Sequence, residues 1–267
     1  MIWDNLYPDV NVLVGINGSG KSTLLNILDA VLASDEKALK EYKSDIRIHF
    51  EDGATVLYEN GKLSYSGQQP LPLHTIINTF DVPVRNKSKL NKKESPLTLE
   101  LKDLIYPTGT LEHDEGHNII MIQSFNDYRL LASSDPAKVG ETAQRINLLF
   151  DEINSFFSYT GKTIFPDSNK ILFRLQDDKT VIQLEQLSAG EKQLLIILFK
   201  IFLLNDYPYI VLLDEPEISL HVEWQMKFIA SLQKLNQNCQ FLISTHSPGI
   251  FGQGWGTRLT FMEELFK

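Results

Sequence analysis

Two short runs of this sequence carry the residue types that phosphate chemistry needs. Gly15-Ile16-Asn17-Gly18-Ser19-Gly20-Lys21-Ser22 fits the pattern G-x-x-x-x-G-K-[ST] at every fixed position. In such a loop the glycines let successive backbone N–H groups turn inward around an anion, and the helix that follows adds its partial positive charge. Lys21 has the reach to meet terminal phosphates, and the Ser22 hydroxyl is a hard oxygen ligand for Mg2+. A chance match somewhere in a chain of this length has a probability on the order of 1% at average glycine frequency. The second run, Tyr209-Ile210-Val211-Leu212-Leu213-Asp214-Glu215-Pro216, is an apolar stretch ending in two acids. Neighbouring strand residues point in different directions. Asp214 can therefore hold a water of the Mg2+ shell while Glu215 polarises an attacking water, the division of labour that phosphoryl transfer to water requires.

These groups need a scaffold, and the patterning supplies one. Asn11 to Gly15 reads as a short buried strand, and Gly20 to Ala33 as a helix with Leu24, Leu25, Ile27, Leu28 and Val31 apolar. The phosphate loop thus sits between strand and helix. Residues 46–50, 55–58 and 63–65 are strand-like and are separated by Asp52-Gly53 and Asn60-Gly61, so an antiparallel meander is predicted. Thr75 to Phe80 is a further strand. A polar segment follows with Arg85, Lys87, Lys89, Lys92 and Lys93, five cations within nine residues; a solvated loop and a local anion-binding patch are both open. From Ala137 to Tyr159 the apolar positions Val139, Ala143, Ile146, Leu149, Phe150, Ile153 and Phe157 step by three and four, which predicts an amphipathic helix. Pro136 stands at its start and Gly161 just past its end. The last third alternates strand (209–213), helix (219–235) and strands (240–244, 258–261), the pattern of a mostly parallel sheet covered by helices. The expected division is a nucleotide-binding core at residues 1–81 and 162–267, interrupted by a helical lobe at 82–161.

Between the two phosphate-chemistry runs lies Leu187-Ser188-Ala189-Gly190-Glu191-Lys192-Gln193, leading into an apolar helix that ends near Leu204. Ser188 with Glu191 three residues on also fits a helix N-cap with a capping box. This stretch resembles the signature sequence of ABC-type ATPases, usually LSGGQ and here LSAGE, a form common in the non-transporter branch of that family. Ile243-Ser244-Thr245-His246-Ser247-Pro248 sets a histidine where the family has its switch histidine. Glu217 to His221 stand where its D-loop belongs, with His221 where transporters typically have Asp. The run DEPEISLH resembles soluble ABC ATPases, including OLD-like proteins, DNA repair ATPases and phage-defence ATPases such as those of Septu-type systems.

The resemblance spans residues 15 to 246 and implies an α/β fold. The fold expected is a P-loop NTPase core with a mostly parallel sheet, an antiparallel β subdomain and an inserted helical lobe. It implies ATP and Mg2+ as cofactors. Asn17, Gly18, Ser19, Gly20, Lys21, Ser22 and Thr23 would surround the phosphates, Ser22 and Asp214 would hold the metal, and Glu215 and His246 would be catalytic. Ser188 and Gly190 of one protomer would close on the γ-phosphate held by another, making a homodimer on ATP binding. The family also has a glutamine-loop, for which Asn78, Asp81 and Gln123 are the candidates here. Adenine stacking would fall to Trp3 or Tyr7, since only ten residues precede Asn11.

Composition bounds the partners. A net charge of −9 argues against a surface given over wholly to nucleic acid, although local binding stays open. The longest apolar stretch, Leu194 to Leu204, is broken by Lys200 and is shorter than the roughly 20 residues a membrane-spanning helix needs. Met1 to Val10 has two acids, no basic residue and no long apolar core, unlike a secretory signal. No membrane insertion and a cytoplasmic location are expected. Cys239, the single cysteine, reads as a small core residue. The expected function is an ATP-hydrolysing soluble ABC-type ATPase that dimerises on ATP and gates a partner protein or nucleic acid, in DNA maintenance or phage defence. The alternative is the cytosolic ATPase subunit of a membrane transporter; His221 and the long interval between Lys21 and Asp214 count against it. A non-hydrolysing scaffold is disfavoured by Glu215. The stretch after His246 is too short for a nuclease domain, so any such effector is expected on a separate polypeptide.

Overall fold

The computed structural model describes residues 1–67, 70–78, 94–106, 112–133, 137–167, 170–176 and 179–266. Asp81, Pro136 and the cations Arg85, Lys87, Lys89, Lys92 and Lys93 lie outside the described residues. In chain order the elements begin with β1 (Val10–Val14), α1 (Lys21–Leu32), the short α2 (Glu36–Leu39), β2 (Ile46–His49), β3 (Thr55–Glu59), β4 (Lys62–Ser66) and β5 (His74–Asn78). There follow α3 (Pro96–Ile105), β6 (Glu112–Asp114), β7 (Ile119–Met121), α4 (Phe125–Ser133), α5 (Val139–Phe157), β8 (Lys162–Asp167), β9 (Lys170–Leu175) and β10 (Val181–Ile182). The last are α6 (Ala189–Leu203), β11 (Ile210–Asp214), α7 (Val222–Leu235), β12 (Gln240–Thr245), α8 (Pro248–Phe251) and β13 (Leu259–Phe261). The chain forms two compact units, Met1–Asn78 with Pro208–Pro216 and Asn238–Lys267, and Thr79–Tyr207 with Glu217–Gln237.

The first unit is built on a five-stranded sheet in the order β13-β1-β12-β11-β5, with every neighbouring pair parallel. Parallel strands are normally covered on both faces and so read as continuous apolar runs, as VNVLV and IVLLD do. Leu25 of α1 packs with Leu212 and Leu242 of the sheet, all three buried. Truncating such a leucine to alanine costs about 2–5 kcal/mol, so α1 is held to the sheet mainly by this face. The predicted meander is present as the antiparallel sheet β2-β3-β4. Its second turn has Asn60 at φ 53° and Gly61 at φ 78°, the left-handed pair that a tight hairpin needs. Val56 and Tyr58 on its inner face pack with Ala30, Val31 and Leu39.

The second unit centres on α6. Its residues from Glu191 to Leu203 are buried except Lys200, as expected of a helix that is apolar on all sides. Lys200, only half-buried, pairs with Glu100 of α3. Around it, Phe125, Tyr128, Phe199 and Phe202 form edge-on and tilted aromatic contacts. Trp224 of α7 stacks on Phe157 and donates its indole N–H to the Phe156 carbonyl at 2.9 Å. α5 ends where predicted, with Gly161 in the left-handed region at φ 66°. The middle of the chain is not all helix: β6 and β7 form a hairpin and β8, β9 and β10 an antiparallel sheet. α7 begins at Val222, later than the sequence pattern places it, because Ser219 is left-handed at φ 72° and His221 is an extended N-cap. No helix among the described residues is long and apolar enough to cross a membrane.

Candidate functional site

The parallel sheet of the first unit delivers its strand ends to one edge, the side on which open α/β sheets bind ligands. β1 ends at Val14 in register with Thr245, and Asp214 stands in register with both Ser244 and Asn78. The phosphate loop, the two acids and His246 therefore leave the sheet side by side. Gly18 and Gly20 lie at φ 82° and 97°, a conformation that costs a side-chain-bearing residue and lets the loop turn into α1. Met262 supports the loop from below, so that a Cβ placed on Gly15 would lie 3.0 Å from the methionine Cβ and 2.7 Å from Ser19 Oγ.

Lys21 is only 4% exposed. Its ammonium donates to the carbonyls of Gly15 at 2.9 Å and Ile16 at 3.3 Å, and pairs with Glu215 Oε1 at 3.1 Å. Ser22 Oγ donates to Asp214 Oδ1 at 3.0 Å, and Ser244 Oγ donates to the same oxygen. His246 Nδ1 bonds Glu215 Oε2. Glu215 itself is left-handed at φ 47°, an unusual backbone for a non-glycine residue, and its N–H is held by the Ser244 carbonyl at 3.0 Å. Asn17 and Gly18 are exposed at the loop tip, Ser19 is half-buried behind them, and Ser22 and Thr23 are exposed on the first turn of α1.

A serine hydroxyl touching a carboxylate beside a phosphate-type loop is the hard-oxygen donor set that Mg2+ shares with nucleotide phosphates. Two buried polar atoms at this edge, Ser19 Oγ and Asn78 Oδ1, have no hydrogen-bond partner among the described residues. Buried polar groups are normally satisfied, so each is an expected contact for a bound species. The residues present thus fit Mg2+ with a nucleotide phosphate. Of the three glutamine-loop candidates, Asn78 stands at this edge, Gln123 lies between β7 and α4 in the other unit, and Asp81 is outside the described residues. The two aromatics considered for adenine are placed differently. Trp3 is half-buried and packs against two clusters, Leu13 with Met262 and Leu265, and Leu25 with Leu212 and Leu242. Tyr7 precedes β1, at the opposite end of that strand from the loop, and its ring is covered by the Arg258 guanidinium 3.8 Å from the centroid. The two were candidates only because they precede the first strand, and strand direction removes Tyr7.

Ser244 was not singled out by sequence. Its signal is a hydroxyl directly opposite Asp214 near the end of β12, which becomes visible only once strand register is known.

In the second unit, the segment 187–193 forms the start of α6. Ser188 is the N-cap: its Oγ accepts from Glu191 N–H at 3.3 Å, and Glu191 Oε2 accepts from Ser188 N–H at 2.8 Å. The capping box read from the sequence is therefore present. A second box, Gln183 with Gln186, sits immediately upstream. Ser188 is exposed and Gly190 half-buried. Gly190 packs so closely on the loop before α7 that an added Cβ would lie 2.2 Å from the Ser219 carbonyl oxygen.

Comparison with known proteins places the chain among ATPases. A retron Ec83 probable ATPase from Escherichia coli is 31% identical over 133 residues, 39% of this chain and 24% of that protein. The chain thus matches about a quarter of that relative's length. An uncharacterized ABC transporter ATP-binding protein, YfmM of Bacillus subtilis (strain 168), is 25% identical over 241 residues, 88% of this chain and 36% of that one. Among solved structures, an SMC head bound to the C-winged helix domain of ScpA matches with a TM-score of 0.50 and 14% identity, over 92% of this chain and 85% of that chain. This last likeness is one of fold, a P-loop ATPase core with a parallel sheet and separate antiparallel sheets. Residues 85–251, more than half of the sequence, match the family described as AAA ATPase domain, and the chain belongs to that family.

Proposed function

We propose that the protein binds and hydrolyses ATP as a switch that closes head to tail with a second copy and so gates a separate partner. What carries the proposal is the single sheet edge at which Lys21, Ser22, Asp214, Glu215 and His246 meet, with Ser22 and Asp214 in direct contact at 3.0 Å. The N–H groups of the loop and Lys21 would hold the phosphates, with Asn17, Gly18, Ser19, Gly20 and Thr23 around them. Ser22 and Asp214 would hold Mg2+, whose charge offsets that of the phosphates when bound. Glu215 is the general base: it takes a proton from the attacking water as oxygen bonds the γ-phosphorus and the bond to ADP breaks. Lys21 pairs with Glu215, so a phosphate held by the lysine would compete with that carboxylate. His246 orients Glu215 through Oε2, and Asn78 is our assignment for the residue that positions the water.

The resemblance to ABC-type ATPases supports the remaining steps. Ser188 and Gly190 at the N-terminus of α6 would meet the γ-phosphate bound by the partner protomer, a use of helix N-termini that anions favour. The lobe at residues 82–161 would dock the partner, protein or nucleic acid, as the SMC head of similar fold is seen with a ScpA domain. Likeness to a retron ATPase and the DEPEISLH run favour DNA maintenance or phage defence as the setting. A second reading, the cytosolic ATPase of a transporter, is favoured by the YfmM match across 88% of the chain. Glu215→Gln tests the switch: it should bind ATP, lose turnover and elute as an ATP-dependent dimer with Mg2+. Parental hydrolysis by that variant would remove Glu215 as the base.

A further inference from the structure

Glu191 places a carboxylate one turn into α6, at the end proposed above to approach another protomer's γ-phosphate. It is 2% exposed. A bare carboxylate so placed would repel the phosphate, and with little water to screen it the repulsion would be strong. The structure supplies a counter-charge from outside the helix. Lys162, at the start of β8, donates from Nζ to Glu191 Oε1 at 2.7 Å, while Oε2 keeps the Ser188 N–H. Burial alone pushes the Glu191 carboxyl up, but the hydrogen bonds from Lys162 and the Ser188 N–H outweigh it and hold the carboxyl below the ordinary glutamate range. The neighbouring Lys192 is not an equivalent: its ammonium donates to the Glu185 carbonyl at 3.0 Å. With Ser188 N–H committed to Glu191, a phosphate would meet the Ser188 hydroxyl and the N–H groups of Ala189 and Gly190.

We propose that Lys162 is a positioning residue for the anion-binding end of α6, cancelling the Glu191 charge and fixing that carboxylate so that it frames Ser188 for the γ-phosphate. The role rests on the head-to-tail dimer proposed above. It explains how a glutamate is tolerated there, and it predicts that lysine is needed only while residue 191 is acidic.

The test uses the Glu215→Gln chain, whose ATP-bound dimer, expected from the switch proposed above, would be titrated by sedimentation in ATP and Mg2+. Adding Lys162→Met should weaken the dimer at least about tenfold, from one uncompensated charge facing an anion. Binding of a fluorescent ATP analogue to the monomer should not change, because the phosphate loop is untouched. Lys162→Arg should stay within about threefold of the parent, since it keeps the charge. Lys162→Met with Glu191→Gln should recover the dimer, because the amide oxygen still accepts from Ser188 N–H and no charge is left. A parental dimer with Lys162→Met alone overturns the proposal, and so does a weakened dimer that Glu191→Gln fails to restore. Should Lys162→Met not fold, the double variant decides: a folded, dimerising double variant supports the role, and an unfolded one reduces Lys162 to a structural residue. If the Glu215→Gln parent itself never dimerises with ATP, the head-to-tail reading fails first and this role falls with it.

Discussion

Replacing Gly190 by alanine perturbs one contact whose size can be worked out. An alanine Cβ would stand 2.2 Å from the Ser219 carbonyl oxygen and 3.3 Å from its carbon. A carbon–oxygen contact needs about 3.3 Å, so one of the two backbones must retreat by about 1 Å. Neither can do so freely. Gly190 is in the first turn of α6, pinned by the Ser188–Glu191 box, and Ser219 is held at φ 72° in the loop before α7. Overpacking of this kind costs about 1–3 kcal/mol, and alanine's better helix propensity returns up to about 1 kcal/mol. The net loss of about 1–2 kcal/mol should lower Tm by roughly 2–8 °C in a chain of this size. Gly140→Ala is the matched control, since it lies in α5 with nothing among the described residues within 4 Å of the new Cβ, and it should hold or raise Tm. Scanning calorimetry of the two variants against the parent reads the difference. An unchanged Tm for Gly190→Ala, with Gly140→Ala behaving as expected, would refute the close approach of the two segments.

Ser244→Ala removes one donor to Asp214 and the hydroxyl that accepts from the Glu215 N–H at 3.4 Å, while the bond to the residue 244 carbonyl stays. Turnover should fall about 10- to 100-fold with ATP affinity nearly kept, since a lost bond to a charged group is worth about 1.5–3 kcal/mol; equal loss of affinity and turnover would contradict a positioning role. Cys239 is 2% exposed and burial pushes its thiol up to about 12, partly opposed by a backbone hydrogen bond with Tyr209. Iodoacetamide at pH 8 should therefore leave the folded chain unlabelled and label it in denaturant, and fast labelling of folded protein would show that the strand end is open. Glu191 has a lowered carboxyl pKa in the fold, so its contribution to stability is present above the unfolded glutamate value and is lost as pH falls through the folded one. Urea midpoints from pH 7 down to pH 3 should thus fall less steeply in Glu191→Gln than in the parent; identical slopes would mean that the Lys162 contact adds nothing to the fold.

The phosphate chemistry was legible because it is local. Eight consecutive residues define the loop, and an apolar run ending in Asp214-Glu215 defines the opposing edge. The Asn60-Gly61 turn and Gly161 were legible for the same reason, since a left-handed backbone leaves its mark on one or two residue types. Contacts that depend on register were not. Ser244 meets Asp214 because β11 lies between β5 and β12, an order no single strand records. Lys162 meets Glu191 across a sequence separation of 29 residues, from a strand that the sequence reading did not identify. β8 and β9 escaped because only one or two positions on each are fully buried, so their alternation is weak. Tyr7 shows that proximity in sequence to the loop says nothing about which end of the strand a residue occupies.

The central claim is that each ATP is hydrolysed between the phosphate loop of one protomer and the N-terminus of α6 of another. Mixing two inactive chains, Lys21→Ala and Ser188→Arg, tests it most directly. A mixed dimer has one site carrying both defects and one carrying neither, so activity should return, up to about half the parental rate per mixed dimer if the sites act independently. The fraction of mixed dimers is fixed separately by pulling down one tagged chain and weighing the other. Recovery of ATP hydrolysis in proportion to that fraction is the predicted result; normal hydrolysis by either variant alone, as a demonstrated monomer, would contradict the account.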